Sequence, residues 1–325
     1  MSKTALIFGI SGQDGAYLAE LLINKGYVVH GTSRDSEMAS FHSLKLIGIK
    51  HKISFHSVAL NDFRSILKVI EKVIPEEIYN LAGQSSVGLS FEQPLETLES
   101  IANATINILE AIRFLGIHCK FYNAGSSECF GDTGEHPADE NTPFRPKSPY
   151  GVAKASAFWQ VANYRESYEL FACSGIMFNH ESVLRPSRFV TRKICQAAAK
   201  IAIGQQKTLE LGNLSIRRDW GWAPEYVEAM WKMLQQDKPE DYVIATGKLY
   251  GLSDFVNEAF AALNLNWENY VIINNSLKRP SEIKSGYGYP KKALSKLNWS
   301  AKTFMPEIAG IIARKEFETL TGGNS

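Results

Sequence analysis

The chain has 325 residues, of which 45% are hydrophobic and 21% charged, and its formal net charge is +1. A near-neutral balance with interspersed signs gives no case for nucleic acid or an anionic membrane as a main partner, and no apolar run approaches membrane-spanning length. The length suffices for a full core and predicts one cofactor domain plus a smaller substrate domain.

The N-terminus enters an apolar run of strand length, Thr4-Ala5-Leu6-Ile7-Phe8, almost at once, so no signal peptide is expected. Gly9-Ile10-Ser11-Gly12-Gln13-Asp14-Gly15 follows, and then the helical pattern Ala16-Tyr17-Leu18-Ala19-Glu20-Leu21-Leu22. Strand, three glycines three apart, then helix is the context of a dinucleotide fingerprint. Glycines permit a tight turn and close backbone approach, and the helix N-terminus offers free N–H groups to a pyrophosphate. Gly9, Gly12, Gln13, Asp14 and Gly15 are therefore candidate cofactor residues. The next strand, Tyr27-Val28-Val29-His30-Gly31-Thr32, ends without the acid that usually takes a ribose 2′-hydroxyl. Arg34 follows, and a guanidinium suits the 2′-phosphate of NADP. Asp35 beside it keeps NAD open, either by pairing with Arg34 or by holding a ribose.

Further strands are expected over 53–58, 77–82 and 120–124, with a helix over 101–115 on apolar positions three and four apart. Alternation of this kind predicts an α/β fold, a Rossmann-type doubly wound parallel sheet with ligands in the crevice beyond the strand C-terminal ends. Leu81 and Ala82 close one such strand and join the cofactor candidates. Polar residues gather beyond two strand ends, as Gln84-Ser85-Ser86 and as Gly125-Ser126-Ser127-Glu128. Glu128 there has the placement of a second base, or else of a capping or surface carboxylate.

Ser148-Pro149-Tyr150-Gly151-Val152-Ala153-Lys154 begins a helix at Pro149 and puts Tyr150 and Lys154 on one face, just over a turn apart. A phenol near pKa 10 is a poor base, and an adjacent ammonium is expected to bring it towards neutrality. Beyond 176–178 the pattern becomes irregular. Residues 1–178 are expected to form the cofactor domain, with a returning segment near 216–248, and 179–325 a smaller, mixed substrate domain. Cys119, Cys129, Cys173 and Cys195 are scattered, with no Cys-x-x-Cys and no His clustering. That pattern predicts no disulfide framework, no metal site and a reducing cytoplasm.

With these motifs in hand, the chain resembles the extended short-chain dehydrogenase/reductase family, and within it the GDP-mannose 4,6-dehydratases. The resemblance runs nearly full length. It is carried by Gly12-Gln13-Asp14-Gly15, Asn80-Leu81-Ala82, Gln84-Ser85, Ser90-Phe91-Glu92, the Tyr150/Lys154 run, Asn163-Tyr164-Arg165-Glu166, Phe178-Asn179-His180-Glu181-Ser182, Val190-Thr191-Arg192-Lys193, Arg218-Asp219-Trp220-Gly221 and Tyr226-Val227-Glu228-Ala229-Met230-Trp231.

The resemblance implies a GDP-sugar substrate, NADP as cofactor and a hydro-lyase reaction with an internal redox cycle. It implies that Tyr150, Lys154, Glu128 and Ser126 are catalytic, with Ser126 standing where the family usually has Thr. Ser85, Asn179, Lys193, Arg218, Arg279 and Glu282 look like contacts to the nucleotide sugar. A homo-oligomer is implied too. Its form is open between dimer and tetramer, because Ser182-Val183-Leu184-Arg185-Pro186-Ser187 replaces the family's Ser-Pro-Arg-Arg-Gly-Glu loop. Val58-Ala59-Leu60 replaces an acid expected near the adenine, Trp222 a His and Gly125 a Ser. These departures point to a divergent branch and keep GDP-manno-heptose as an alternative substrate. A nucleotide-sugar 4-reductase or epimerase, and a non-catalytic NADP-binding protein, are further alternatives.

Overall fold

The computed structural model describes residues 2–277 and 280–322. Its centre is a seven-stranded sheet whose strands all pair in parallel. In chain order the first six are β1 (Thr4–Phe8), β2 (Val28–Ser33), β3 (Ile53–Ser57), β4 (Glu77–Asn80), β5 (Lys120–Ala124) and β6 (Ala172–Met177). The seventh, Tyr242–Ile244, returns from far down the chain to pair with β6. The spatial order is Tyr242–Ile244, β6, β5, β4, β1, β2, β3.

The alternating geometry of a strand divides β1 between two cores. Ala5 and Ile7 join the cluster under the helices Gln13–Asn24 (α1) and Ala223–Leu234, whereas Leu6 and Phe8 join Ile66, Ile70, Ile108 and Ile112 on the opposite face. Burial on both faces accounts for continuous apolar runs in place of alternation. The sequence direction reverses beside β1, which pairs with both β2 and β4, and a crevice opens there beyond the strand C-terminal ends.

The helix expected over 101–115 differs at its start. A π-helical turn, Glu99–Asn103, precedes the α-helix Ala104–Leu115. The wide turn sets Ser100 against the end of β4, where its hydroxyl accepts the Gln84 N–H at 3.1 Å. Single-turn π segments of this kind recur at functional sites.

Beyond β6 the chain adds the short strand β7 (Asn179–Glu181), parallel to Trp220–Trp222. It also forms a three-helix core from Val190–Ala202, Leu252–Ala261 and Met305–Leu320. Ile194, Ala198, Phe255, Phe260, Ile308 and Ile312 fill that core. Among the described residues no helix is long and apolar enough to cross a membrane.

Candidate active site

A cleft of about 910 Å³ occupies the crevice at the reversal point. The glycine-rich turn forms its floor. A Cβ on Gly9 (φ +85°) would lie 2.8 Å from the backbone at Leu81 and Ala82, and one on Gly15 would lie 2.5 Å from Gly9 O. Both positions are closed to larger residues by the protein itself. Gly12 is different, because its Cβ would meet only Gly9 O, at an ordinary 3.4 Å. Space above Gly12 is thus kept open towards the cleft and not towards the protein.

Gly9, Gly12, Gln13, Asp14, Gly15, Arg34, Leu81 and Ala82 all line this cleft, as does Ser85. Arg34 is exposed at the end of β2. Asp35 neither pairs with it there nor faces the cleft, since its carboxylate accepts the Glu37 and Met38 N–H groups at 3.0 and 2.9 Å. Val58, Ala59 and Leu60 form an apolar wall where an acid was expected.

The side chains of Gln13 and Asp14 turn towards β7. Gln13 is buried; its Nε2 donates to His180 O (3.2 Å), and its Oε1 accepts from the Ser182 hydroxyl (2.8 Å). Asp14 Oδ2 lies 2.9 Å from His180 Nε2. Burial acts to raise the Asp14 carboxyl, but the His180 charge and hydrogen bond win and hold it at about 2.

Tyr150 and Lys154 do share a face of the helix Pro149–Tyr168. Its start is fixed by Pro149 and by the Ser148 hydroxyl, which accepts the Gly151 N–H at 3.0 Å. Lys154 Nζ sits 5.9 Å from the Tyr150 ring centre and donates to Ala124 O at 2.7 Å. The direction expected for the phenol is not what the structure gives. Burial pushes the Tyr150 hydroxyl up, partly offset by a hydrogen bond with Ser126, and burial lowers Lys154 to about 8. The Glu128 charge adds to the rise of the phenol, and the Lys154 ammonium is spent on a strand-end carbonyl. Ser126 is buried at the end of β5 and caps the turn Ser127–Cys129, accepting the Glu128 N–H at 3.3 Å. Half-buried Glu128 therefore stands beside the Ser126/Tyr150 pair. Ser126, Glu128, Tyr150 and Lys154 form one cluster, yet none of them lines the 910 Å³ cleft.

Of the remaining candidates, Asn179 is the first residue of β7 and pairs in register with Trp220. Arg218 is buried on the strand Arg217–Arg218, and its Nη1 donates to Arg217 O at 2.9 Å. Glu282 accepts from Asn213 Nδ2 at 3.3 Å, just before the strand Ser285–Gly286 that pairs with Arg217–Arg218. Lys193 Nζ donates to Glu210 O at 2.8 Å. None of these residues lines the cleft. Arg279 lies outside the described residues.

Sequence reasoning missed one wall of the cleft. Arg185, Pro186, Arg188 and Phe189 line it from the loop after β7, the first two in the segment noted only as a departure from the family pattern. Arg185 stacks on Phe189 at 3.7 Å and pairs with the buried Glu181 at 3.2 Å. The sequence signal for them was faint: two arginines three positions apart, about 170 residues from the glycine turn that only the fold brings near. No group of His, Cys, Asp or Glu suited to a metal ion occurs among the described residues.

Fold and site together define an enzyme of the extended short-chain dehydrogenase/reductase class. The UDP-glucose 4-epimerase of Thermus thermophilus, solved in complex with NAD, superposes with a TM-score of 0.85 over 96% of this chain and 98% of that one, at 21% identity. Residues 6–311 match the model of the family described as GDP-mannose 4,6 dehydratase. GDP-mannose 4,6 dehydratase 2 of Caenorhabditis elegans is 46% identical, covering 94% of this chain and 87% of that protein. GDP-mannose 4,6 dehydratase 2 of Arabidopsis thaliana is 44% identical over 97% of this chain and 87% of its own length. The chain belongs to the GDP-mannose 4,6-dehydratase family, whose members are hydro-lyases.

Proposed function

We propose that the protein converts GDP-mannose to GDP-4-keto-6-deoxymannose, with NADP held in the cleft and the four-residue cluster acting on the sugar. What supports this reading is that a chain of this family holds both a glycine cradle in the cleft and a separate Ser126/Glu128/Tyr150/Lys154 cluster. The residues fit a dinucleotide. Open space above Gly12 suits close approach of a pyrophosphate, and Arg34 in the cleft suits a 2′-phosphate once Asp35 is occupied by its own turn. NADP supplies a hydride acceptor for C4 and a hydride donor for C6 within one turnover.

The chain's own groups handle the protons. Tyr150 takes the proton of the C4 hydroxyl, and Ser126, already bonded to Tyr150, holds the C4 oxygen. Lys154 supplies positive charge beside the phenol once substrate and cofactor replace the Ala124 carbonyl as its neighbours. A ketone at C4 acidifies the C5 hydrogen, which Glu128 removes as hydroxide leaves C6. Tyr150 returns a proton at C5. Asn179, Lys193, Arg218, Arg279 and Glu282 hold the guanosine diphosphate in the part beyond 178, and Ser85 meets the sugar where the cleft ends. Residues 1–178, with a return near 216–248, hold the cofactor. The four cysteines, all free and buried, suit a reducing cytoplasm. Exposed Val152 and Trp159 on the helix of Tyr150 suit a homo-oligomer, which light scattering would size.

Incubation with GDP-mannose and with GDP-manno-heptose, followed by mass spectrometry, tests the reading. Loss of water from GDP-mannose is the expected result. Loss from the heptose alone moves the substrate, and product without loss of water replaces the dehydratase by an epimerase or reductase.

A further inference from the structure

His180 and Asp14 lie 166 positions apart in the chain, yet they form a nearly enclosed pair beneath the glycine-rich turn. His180 Nδ1 faces Phe178 O at 2.7 Å and Nε2 faces Asp14 Oδ2 at 2.9 Å. Both partners are oxygen acceptors, so a ring that makes both bonds at once donates from both nitrogens, as an imidazolium does. The ring also stacks on Tyr226, centre to centre 4.6 Å, and the remaining charge towards it is Arg185 from the loop after β7. Gln13 adds two ties across the same seam, to His180 O and to the Ser182 hydroxyl, which in turn accepts the Leu184 N–H at 3.0 Å.

We propose that His180 is a positioning residue for the cofactor turn: as an imidazolium clamped between Phe178 O and Asp14, it locks the N-terminus of α1 to β7. The inference rests on the reading of the cleft as a dinucleotide site. It adds a division of labour inside the motif, in which Gly12 leaves room for the ligand while Gln13 and Asp14 face the protein and fix the turn. The lock also joins the two walls of the cleft. Arg185 hangs from the same short strand through Glu181, so a shift of β7 moves the turn and the arginine together.

The charge state follows the geometry. Burial alone would lower the His180 ring, but Asp14 overrides it and raises the ring above its ordinary 6.5. Its stabilising contribution is complete below 6.5 and is lost as pH rises through the raised value. The Asp14 contribution is complete above its ordinary 3.8 and is lost as pH falls towards about 2. The lock is closed across the window between those limits.

NADPH binding to the full chain, followed by fluorescence, tests the lock in the parent, His180→Phe (which keeps the stack on Tyr226), Asp14→Asn and the double variant, with Tm measured for each. Each single substitution is expected to weaken binding roughly tenfold or more, the scale on which small misplacements act. The double variant is expected to be no worse than the weaker single, because both remove one interaction. Near-parent affinity in His180→Phe, or losses that multiply in the double, overturn the proposal. A parent that binds neither NADPH nor NADH removes the cleft reading and the lock with it. Nitrogen-15 NMR of the parent, without ligand, supplies an answer if a variant fails to fold. Two protonated His180 nitrogens at pH 7 support the lock, and a neutral ring overturns it.

Discussion

Burial acts on Tyr150 and Lys154 in opposite senses, raising the phenol and lowering the ammonium to about 8, so both lean towards their neutral forms. A lysine whose pKa on folding falls below 10.5 is carried at a cost while charged. The stability it contributes rises as pH climbs from about 8 to 10.5 and is flat below that window. Lys154→Met is therefore expected to leave Tm at pH 7 at or above the parent value while turnover is lost, with the two Tm values converging near pH 10. A fall in Tm at pH 7 would show that the bond to Ala124 O outweighs desolvation. Tyr150→Phe removes one hydroxyl and little packing. Its turnover is expected to drop by about two to four orders of magnitude with dinucleotide affinity retained, as steady-state rates and a binding titration would report. Glu128→Gln keeps shape and removes basicity. Reduced-nicotinamide absorbance should rise in a single turnover without 6-deoxy product, and an unchanged product rate would take Glu128 out of the reaction.

The glycine turn shows how one short element divides its duties. Gly15→Ala forces a Cβ to 2.5 Å from Gly9 O and 2.6 Å from Ile10 Cα, backbone atoms that cannot step aside. It is expected to cost about 1–3 kcal/mol of stability or more. Gly12→Ala meets nothing closer than 3.4 Å, so it should fold at close to parent Tm and still lose dinucleotide binding. Parallel melting curves and titrations on the two variants separate the roles. Elements buried on both faces were legible in the chain. The run 120–124 is the strand Lys120–Ala124 residue for residue, and Pro149 opens its helix as expected. The strand Tyr242–Ile244 has only three residues, too few for a period to register. The π turn Glu99–Asn103 reads as ordinary helix because widening one turn leaves the apolar spacing intact. Residues named from local motifs at the glycine turn and the end of β4 do line the cleft. The pairing of Asp14 with His180 was not, because no local pattern encodes a contact between α1 and β7.

At the scale of the whole molecule, the cleft is assembled from distant stretches of chain, with walls from the glycine turn, the ends of β2 and β4, and the loop holding Arg185 and Arg188. Ligand that binds only this assembled state stabilises it by RT ln(1 + [L]/Kd), about 2.7 kcal/mol at a hundredfold excess over Kd. NADPH is expected to raise Tm accordingly, and NADH at the same concentration less, because Arg34 has no 2′-phosphate to meet. Equal shifts from the two, seen by calorimetry, would remove Arg34 from cofactor choice.

The late arrival of Tyr242–Ile244 at the sheet carries a consequence for how the chain is made. Until that segment leaves the ribosome, β6, buried along its whole length in the finished protein, is a bare and apolar sheet margin. Such margins recruit other strands, and the nascent chain is exposed to that hazard while more than sixty further residues are synthesised. A fragment ending at 178 makes the exposure permanent. The seven-stranded sheet of this enzyme is thus a product of the whole chain, and cutting between β6 and β7 should yield aggregate and not a smaller folded protein.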